Sequence, residues 1–332
     1  MVRLISYNCN SIRNNFEIVK DLLDKSDILF LQEIMLCKSD LVLLNDFSED
    51  FENVGYVKDR ESEGINEGRP SKGVAIYWRR FLSSYVTPLI IDDSVIGLVL
   101  TNPNDCCSKT LFLNVYLPCD TQSPQALDNY RSSLAQLDVI IREQNFNNLV
   151  LVGDFNADPF KGRFWRELLK FTQSLSLIFV DEQLPQDTFS YLCPAKDSTS
   201  WLDHIFASKP AVQHLTNIMV DYESSIFDHF PICFHYAFHV EQTCIKKIGI
   251  QVEKMVNWNR VTDEDRILIS RKIDEIIKQS TFIEEEVFYC RNVNCKDSKH
   301  LEYIDKVFDF YQPRMREGNV FSRVRLSVCV SV

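Results

Sequence analysis

Leu149-Val150-Leu151-Val152-Gly153-Asp154-Phe155-Asn156 is the stretch on which the fold turns. Four aliphatic residues make a short apolar run, and glycine, acid and amide bound it, which is the signature of a strand entering a tight turn. Working outward, the same pattern recurs at three other places. Leu4-Ile5 leads into Tyr7-Asn8, and Ile28-Leu29-Phe30-Leu31 leads into Gln32-Glu33. Asp228-His229 stands just before Phe230-Pro231-Ile232. A core strand has no reason to carry such polar residues at its end. In α/β folds ligands gather in the crevice that strand ends leave.

Similar apolar or β-branched runs predict strands over 3–8, 27–33, 73–78, 95–101, 111–117, 149–155, 177–181, 202–207 and 232–239. Apolar residues three and four apart predict helices over 14–25, 127–143 and 163–171. Hairpin-like pairs alternate with strand–helix–strand units, so the expectation is a layered α/β or α+β domain built on sheets. Residues 56–72 are polar, with Gly64, Gly68 and Pro70, and read as a surface loop. Composition changes after His239. The expected organisation is a catalytic domain over 1–240 and an extension over 241–332, helical or partly disordered. Within the extension, 261–280 reads as a polar helix with Ile267, Ile269, Ile273, Ile276 and Ile277 on its packing face.

The chain has 332 residues, 45% of them hydrophobic, which is enough for a sizeable core. No run approaches the roughly 18 uninterrupted apolar residues of a membrane span, and the N-terminus lacks the pattern of a signal peptide. The eleven cysteines are an odd count, most of them in strand-like runs. That usage suits reduced, buried thiols in an intracellular protein, in the nucleus or the cytoplasm, better than a disulfide framework. Cys106-Cys107 reads as part of a polar loop with no assigned role. Cys290, Cys295 and His300 have the wrong gaps for a zinc knuckle. A net charge of −11 excludes a globally basic nucleic-acid coat and predicts weak, salt-sensitive binding to nucleic acid. It leaves a nuclease open, because a metal site needs clustered carboxylates and the bound cation reverses the local sign.

Phosphodiester hydrolysis explains the residue types at the strand ends. Carboxylates hold a hard cation that neutralises the phosphate. A further acid orients or deprotonates water. A histidine, its tautomer held by another acid, contacts the phosphoryl oxygen. Each residue alone has a plainer reading: Asp154 and Asn156 as turn formers, Tyr116 and His229 as core, Asp203 and His204 as solvent-facing strand-end residues. For His204 the plain reading is kept.

Taken in order, Ser6-Tyr7-Asn8, Leu31-Gln32-Glu33, Asn114-Val115-Tyr116-Leu117-Pro118, Gly153-Asp154-Phe155-Asn156-Ala157, Ser200-Trp201-Leu202-Asp203-His204-Ile205-Phe206 and Asp228-His229-Phe230-Pro231-Ile232 resemble the motif set of the endonuclease/exonuclease/phosphatase superfamily. The resemblance implies a DNase I-like, four-layer α/β sandwich: two packed mixed β-sheets flanked by helices. It implies Mg²⁺, with Mn²⁺ as a substitute, held by Glu33 with Asn8 steadying Glu33 or the ion and Asp228 on the metal side. It implies that Tyr116 contacts the phosphate, that Asp154 activates water, that Asn156 stabilises the transition state, and that Asp203 orients His229 against the phosphate. Thr188 loosely matches a supporting loop threonine of retroelement enzymes. Phe227, where relatives often carry serine, and Asn10, often aspartate in repair-type relatives, depart from the pattern and leave activity in question.

Ser-Trp-Leu-Asp-His-Ile and Lys72-Gly73-Val74-Ala75-Ile76 are most similar to the endonuclease domains of LINE-type retrotransposons. The domain begins close to Met1, as in LINE reading frames, and the tail looks like a linker cut off before a reverse transcriptase. The expected function is therefore a DNA-nicking endonuclease from a retroelement-derived or truncated gene, with DNA as substrate, no membrane association and no obligate protein partner. The alternatives are a phosphoesterase of the same fold acting on RNA or phosphorylated lipid, and a catalytically dead remnant.

Overall fold

The computed structural model describes residues 1–58, 72–102, 105–193, 196–224 and 228–238, all within one compact unit, Met1–Thr243. The expected helix at 261–280, the loop over most of 56–72, the Cys290/Cys295/His300 group and Phe227 lie outside the described residues.

Two six-stranded mixed sheets face each other. The first runs in the order β13 (Leu215–Val220), β14 (Ile232–Tyr236), β1 (Val2–Asn8), β2 (Ile28–Gln32), β4 (Val74–Arg79), β3 (Phe51–Tyr56). The second runs β5 (Val86–Ile90), β6 (Val95–Asn102), β7 (Asp105–Tyr116), β8 (Asn148–Asp154), β12 (Asp203–Ser208), β9 (Leu177–Phe179). A separate ribbon pairs β10 (Tyr191–Cys193) with β11 (Ser198–Ser200). Each large sheet contains one parallel pair, β1 with β2 and β7 with β8, and is otherwise antiparallel.

Alternation along the strands sorts side chains into three cores. Leu4, Phe30, Ile76, Leu98, Phe112, Val150 and Ile205 fill the space between the sheets. Leu29, Leu31 and Ala75 face α1 (Phe16–Lys25) and the 3₁₀ segment Lys38–Asp46. Leu113, Leu149 and Leu151 face α2 (Pro124–Glu143) and α3 (Gly162–Ser174). Helix, sheet, sheet, helix is the four-layer sandwich that the motifs imply.

The central strands fall where the apolar runs predict them. β3, β5 and β13 do not, and all three lie at or beside sheet edges, where one-sided burial dilutes the apolar signal. Pro88 further masks β5, and an edge is the place a strand tolerates proline. The expected 177–181 strand stops at Phe179 and turns into a 3₁₀ segment, Val180–Gln183. Cys106 and Cys107 belong to β7 rather than to a loop. Cys9 is buried, but Cys37 and Cys119 are exposed and Cys193 and Cys233 half-buried, so the thiols are less uniformly interior than their strand-like contexts suggest.

One polar bridge crosses the interior between the sheets. Gln32 Nε2 donates to Asn114 Oδ1 at 2.6 Å and to Ser6 Oγ at 3.1 Å. Asn114 Nδ2 in turn donates to the carbonyls of Leu31 and Ala75 at 2.9 and 3.0 Å. All three side chains are fully buried, so the bridge fixes β7 against β2 and β4 at a height where a register slip would leave buried donors unpaired.

Candidate active site at the merged strand ends

Both parallel pairs run in the same sense to one edge of the sandwich, and their last residues meet there. In the second sheet, Tyr116 of β7, Asp154 of β8 and Asp203 of β12 are direct register partners across three strands. In the first, Asn8 of β1 is the register partner of Gln32 of β2, with Glu33 the next residue. Asp228 and His229 lie just before β14. Gly153 permits this convergence: a Cβ there would sit 2.0 Å from the Val115 carbonyl oxygen, and its φ of +141° is one that other residues rarely adopt.

Asn8 joins the sheets. Its Nδ2 donates to Glu33 Oε1 and to Asp154 Oδ2, each at 2.9 Å, while its Oδ1 accepts the Asn10 amide at 3.1 Å. The nitrogen rather than the oxygen of Asn8 faces the carboxylates. Asn156 holds the other side of Asp154. Its backbone N–H donates to Asp154 Oδ1 at 2.9 Å, and its Nδ2 donates to Asp154 Oδ2 at 3.2 Å and to the Leu117 carbonyl at 2.9 Å. Glu33 and Asn156 both adopt left-handed φ, 51° and 50°. For Glu33 that conformation is uncommon, and such residues persist where surrounding bonds over-determine them. Ser11 N and Ile34 N, donating to the carbonyls of Glu33 and Gly73, supply those bonds.

His229 closes the cluster. Its Nδ1 lies 2.9 Å from Asp203 Oδ2, and its Nε2 lies 3.9 Å from Asp154 Oδ2. Burial disfavours the imidazolium, but Asp203 outweighs it, with Asp154 and Asp228 helping, and the ring is pushed up to about 10. Burial, then the Asp203 charge, push Asp154 up to about 7. Burial, then Glu33 and Asp154, push the Tyr116 hydroxyl far above its ordinary range, so it stays a donor, bonded to Glu33. Near neutral pH the site therefore presents a proton-bearing histidine, a carboxyl poised between its two forms and a phenol that keeps its proton.

The structure thus brings Asn8, Glu33, Tyr116, Asp154, Asn156, Asp203, Asp228 and His229 together at one edge. Asp228 meets the cluster from two sides. Its carboxylate accepts the His229 N–H at 3.1 Å and lies 3.4 Å from the donating Asn10 Nδ2. The amide at position 10 does not add a carboxylate; it holds one. Thr188 is half-buried in the preceding loop, and its N–H donates to Pro185; among the described residues its side chain shows no bond to the cluster. Ser190, two residues on, does: its hydroxyl accepts the N–H groups of Leu202 and Asp203, each at 2.9 Å. Tyr191 packs its ring 4.9 Å from that of His229. Neither carries a sequence signal, since Ser190 and the short strand β10 that begins at Tyr191 reach the site only through tertiary folding. His204 is corrected outright. It is fully buried rather than solvent-facing, because β9 and the 3₁₀ segment behind it cover that end of β12.

Asp154, Asp203 and His229 each place one ligating atom within 4.8 Å of the others, a spacing that can also hold a metal ion. Nδ1 of His229 is taken by Asp203, which leaves Nε2 to face Asp154. The carboxylates gathered here, Glu33, Asp154 and Asp228, are hard oxygen donors with no thiol among them, and that set fits Mg²⁺ or Mn²⁺ better than a soft-ligand metal.

Comparison with known proteins agrees with this geometry. The model of the Endonuclease/Exonuclease/phosphatase family matches residues 5–225. No curated protein matches the chain. Among solved structures, the AP endonuclease LMAP from Leishmania major superposes with a TM-score of 0.58 at 14% identity, covering 72% of this chain and 88% of that one. A 3′ phosphatase, NExo from Neisseria, bound to a product DNA hairpin, gives 0.53 at 18% identity, over 72% and 100%. The endonuclease domain of TRAS1, a telomere-specific non-LTR retrotransposon, gives 0.53 at 13% identity, over 72% and 100%. At these identities the likeness is one of fold.

Proposed function

The chain belongs to the Endonuclease/Exonuclease/phosphatase family, and within it we propose a Mg²⁺-dependent endonuclease that nicks DNA and leaves a 3′-hydroxyl. One observation carries the reading. A single amide, Asn8, holds Glu33 and Asp154 together at 2.9 Å each, with the Nε2 of a proton-bearing His229 3.9 Å from the same Asp154 oxygen. A cation-binding acid, a water-activating acid and a phosphate-binding cation side by side suit attack on an anionic diester.

The division of labour follows from the bonds. Glu33 and Asp228 are the acids left to hold the ion, which supplies charge neutralisation of the phosphate. Asp154, poised near neutral, accepts the proton of the attacking water, and Asn8 and Asn156 aim its lone pairs. His229 donates from Nε2 to a non-bridging phosphoryl oxygen, and Asp203 keeps the ring in that orientation through Nδ1. Tyr116, whose one hydroxyl proton goes to Glu33, contacts the phosphate from β7 by releasing that bond. Asn156 reaches the pentacovalent oxygens only by releasing one of its two amide bonds. We take residues 1–240 as the catalytic domain. DNA as substrate draws support from the DNA-hairpin complex and the retrotransposon endonuclease among the structural neighbours, and the retroelement origin rests on the motifs named above.

Supercoiled plasmid, incubated with the full chain and Mg²⁺, with EDTA, and with Asp154→Ala or His229→Ala, tests the proposal. Metal-dependent nicking lost in both variants supports it. Turnover of RNA or of phosphorylated lipid headgroups without DNA nicking moves the substrate within the family. A folded chain that cleaves no phosphodiester refutes the activity.

A further inference from the structure

His204 has no part in the reading above, yet it is the most thoroughly engaged histidine of the described residues. It is wholly buried, and both ring nitrogens face oxygen. Nδ1 lies 3.0 Å from Asp181 Oδ2, and Nε2 lies 2.8 Å from the carbonyl oxygen of Ala157. A carbonyl accepts only, so Nε2 carries a proton. Asp181 is anchored as an acceptor through its other oxygen, which takes the Ile205 N–H at 2.7 Å. The rings of Phe179, Trp165, Trp201, Phe206 and Phe155 surround the imidazole with centroids 5.2 to 6.1 Å away.

The segment this ring grips follows Asp154. Phe155 N–H donates to the Leu202 carbonyl, Tyr130 donates to the Phe155 carbonyl, and Asp158 accepts from Phe160 N–H and Trp201 N–H. The Ala157 carbonyl, in the residue after Asn156, is held by His204 Nε2. We propose that His204 is a buried imidazolium acting as a positioning residue: clamped by Asp181, it fixes the Ala157 carbonyl and so the placement of Asn156 on Asp154. The inference rests on the site's assignment as a phosphodiesterase for its kinetic consequence, though not for its structural one. A displacement of about 1 Å in such a group lowers turnover by roughly 10²-fold.

Two measurements on the full chain decide it. With six histidines in the sequence, selective ¹⁵N labelling resolves the rings. The expected result at neutral pH without metal is protonation of both His204 nitrogens. A neutral ring, with the shared proton on Asp181, overturns the imidazolium. The second measurement compares His204→Phe, which keeps the ring volume, with His204→Gln, which restores a donor to Ala157. His204→Phe should lower kcat for nicking by about 10²-fold with KM little changed, and His204→Gln should recover part of the loss. Combined with Asn156→Ala, His204→Phe should add little further loss. Additive losses, or equal falls in both variants that track melting temperature, overturn the positioning role. If the wild type cleaves no phosphodiester, the functional proposal falls while the amide signals of 155–158 still judge the clamp: they should broaden in His204→Phe, and unchanged signals overturn it.

Discussion

Gly153→Ala is the sharpest perturbation of the arrangement, because it adds one methyl group and nothing else. The new Cβ would lie 2.0 Å from the Val115 carbonyl oxygen, 2.9 Å from its nitrogen and 3.0 Å from its carbonyl carbon. These are backbone atoms of β7, so no side-chain rotation relieves the contact, and the strands must part by roughly 1.5 Å to reach ordinary van der Waals separation. The φ of +141° adds strain of about 1–3 kcal/mol for an L residue, and overpacking adds about 1–3 kcal/mol. The sum, about 2–6 kcal/mol, is a large share of a stability of about 5–15 kcal/mol. Parting β7 from β8 also separates their next residues, Tyr116 and Asp154, which are register partners. Urea unfolding should show a midpoint shifted by that amount, and plasmid nicking should fall about 10²-fold under conditions where the variant is folded. Val115→Ala should not rescue it, since the conflict lies with the Val115 backbone. A Gly153→Ala protein with wild-type midpoint and wild-type rate refutes the reasoning, as does rescue by Val115→Ala.

Three further outcomes follow from the site and its floor. Asp203→Asn removes the main support of the His229 imidazolium while burial remains, so in EDTA the ring should titrate well below the wild-type ring, as ring ¹⁵N shifts will report, and nicking at neutral pH should fall about 10²–10⁴-fold. Asp154 and His229 both have folded values above their ordinary ones, so each favours the folded state at low pH. The metal-free protein should lose stability as pH rises from about 4 through 7 on account of Asp154, and from about 6.5 through 10 on account of His229; melting temperatures of wild type against Asp154→Asn and His229→Gln separate the two windows. Asn114→Leu removes one of the two acceptors of the buried Gln32 amide, along with the donor to two strand carbonyls, and should destabilise by about 2–4 kcal/mol in chemical denaturation, with no dependence on added Mg²⁺.

Much of this molecule is written locally. A run such as Leu149-Val150-Leu151-Val152, bounded by turn residues, reads as an interior strand, and Gly153-Asp154-Phe155-Asn156 marks where it stops. Six motifs in order, four of them marked by such strand ends, point to the family and its sandwich, and they name the residues that the structure gathers at one edge. The one-sided strands β3, β5 and β13 escape notice for the matching reason: half-buried residues leave a weak pattern.

What the chain's letters could not decide is how each group is held. That Asn8 turns its nitrogen to two carboxylates, that Asn10 braces Asp228, and that Ser190 secures the Asp203 backbone are matters of atoms brought together from distant parts of the chain. The contrast between His229 and His204 is the clearest case. Two histidines, each beside an aspartate in sequence, acquire different partners and burial because one opens onto the strand-end crevice and the other is roofed by β9 and its 3₁₀ turn. Local pattern determines which residues end strands; the packing of two sheets determines which of those residues meet, and meeting is what sets their protons.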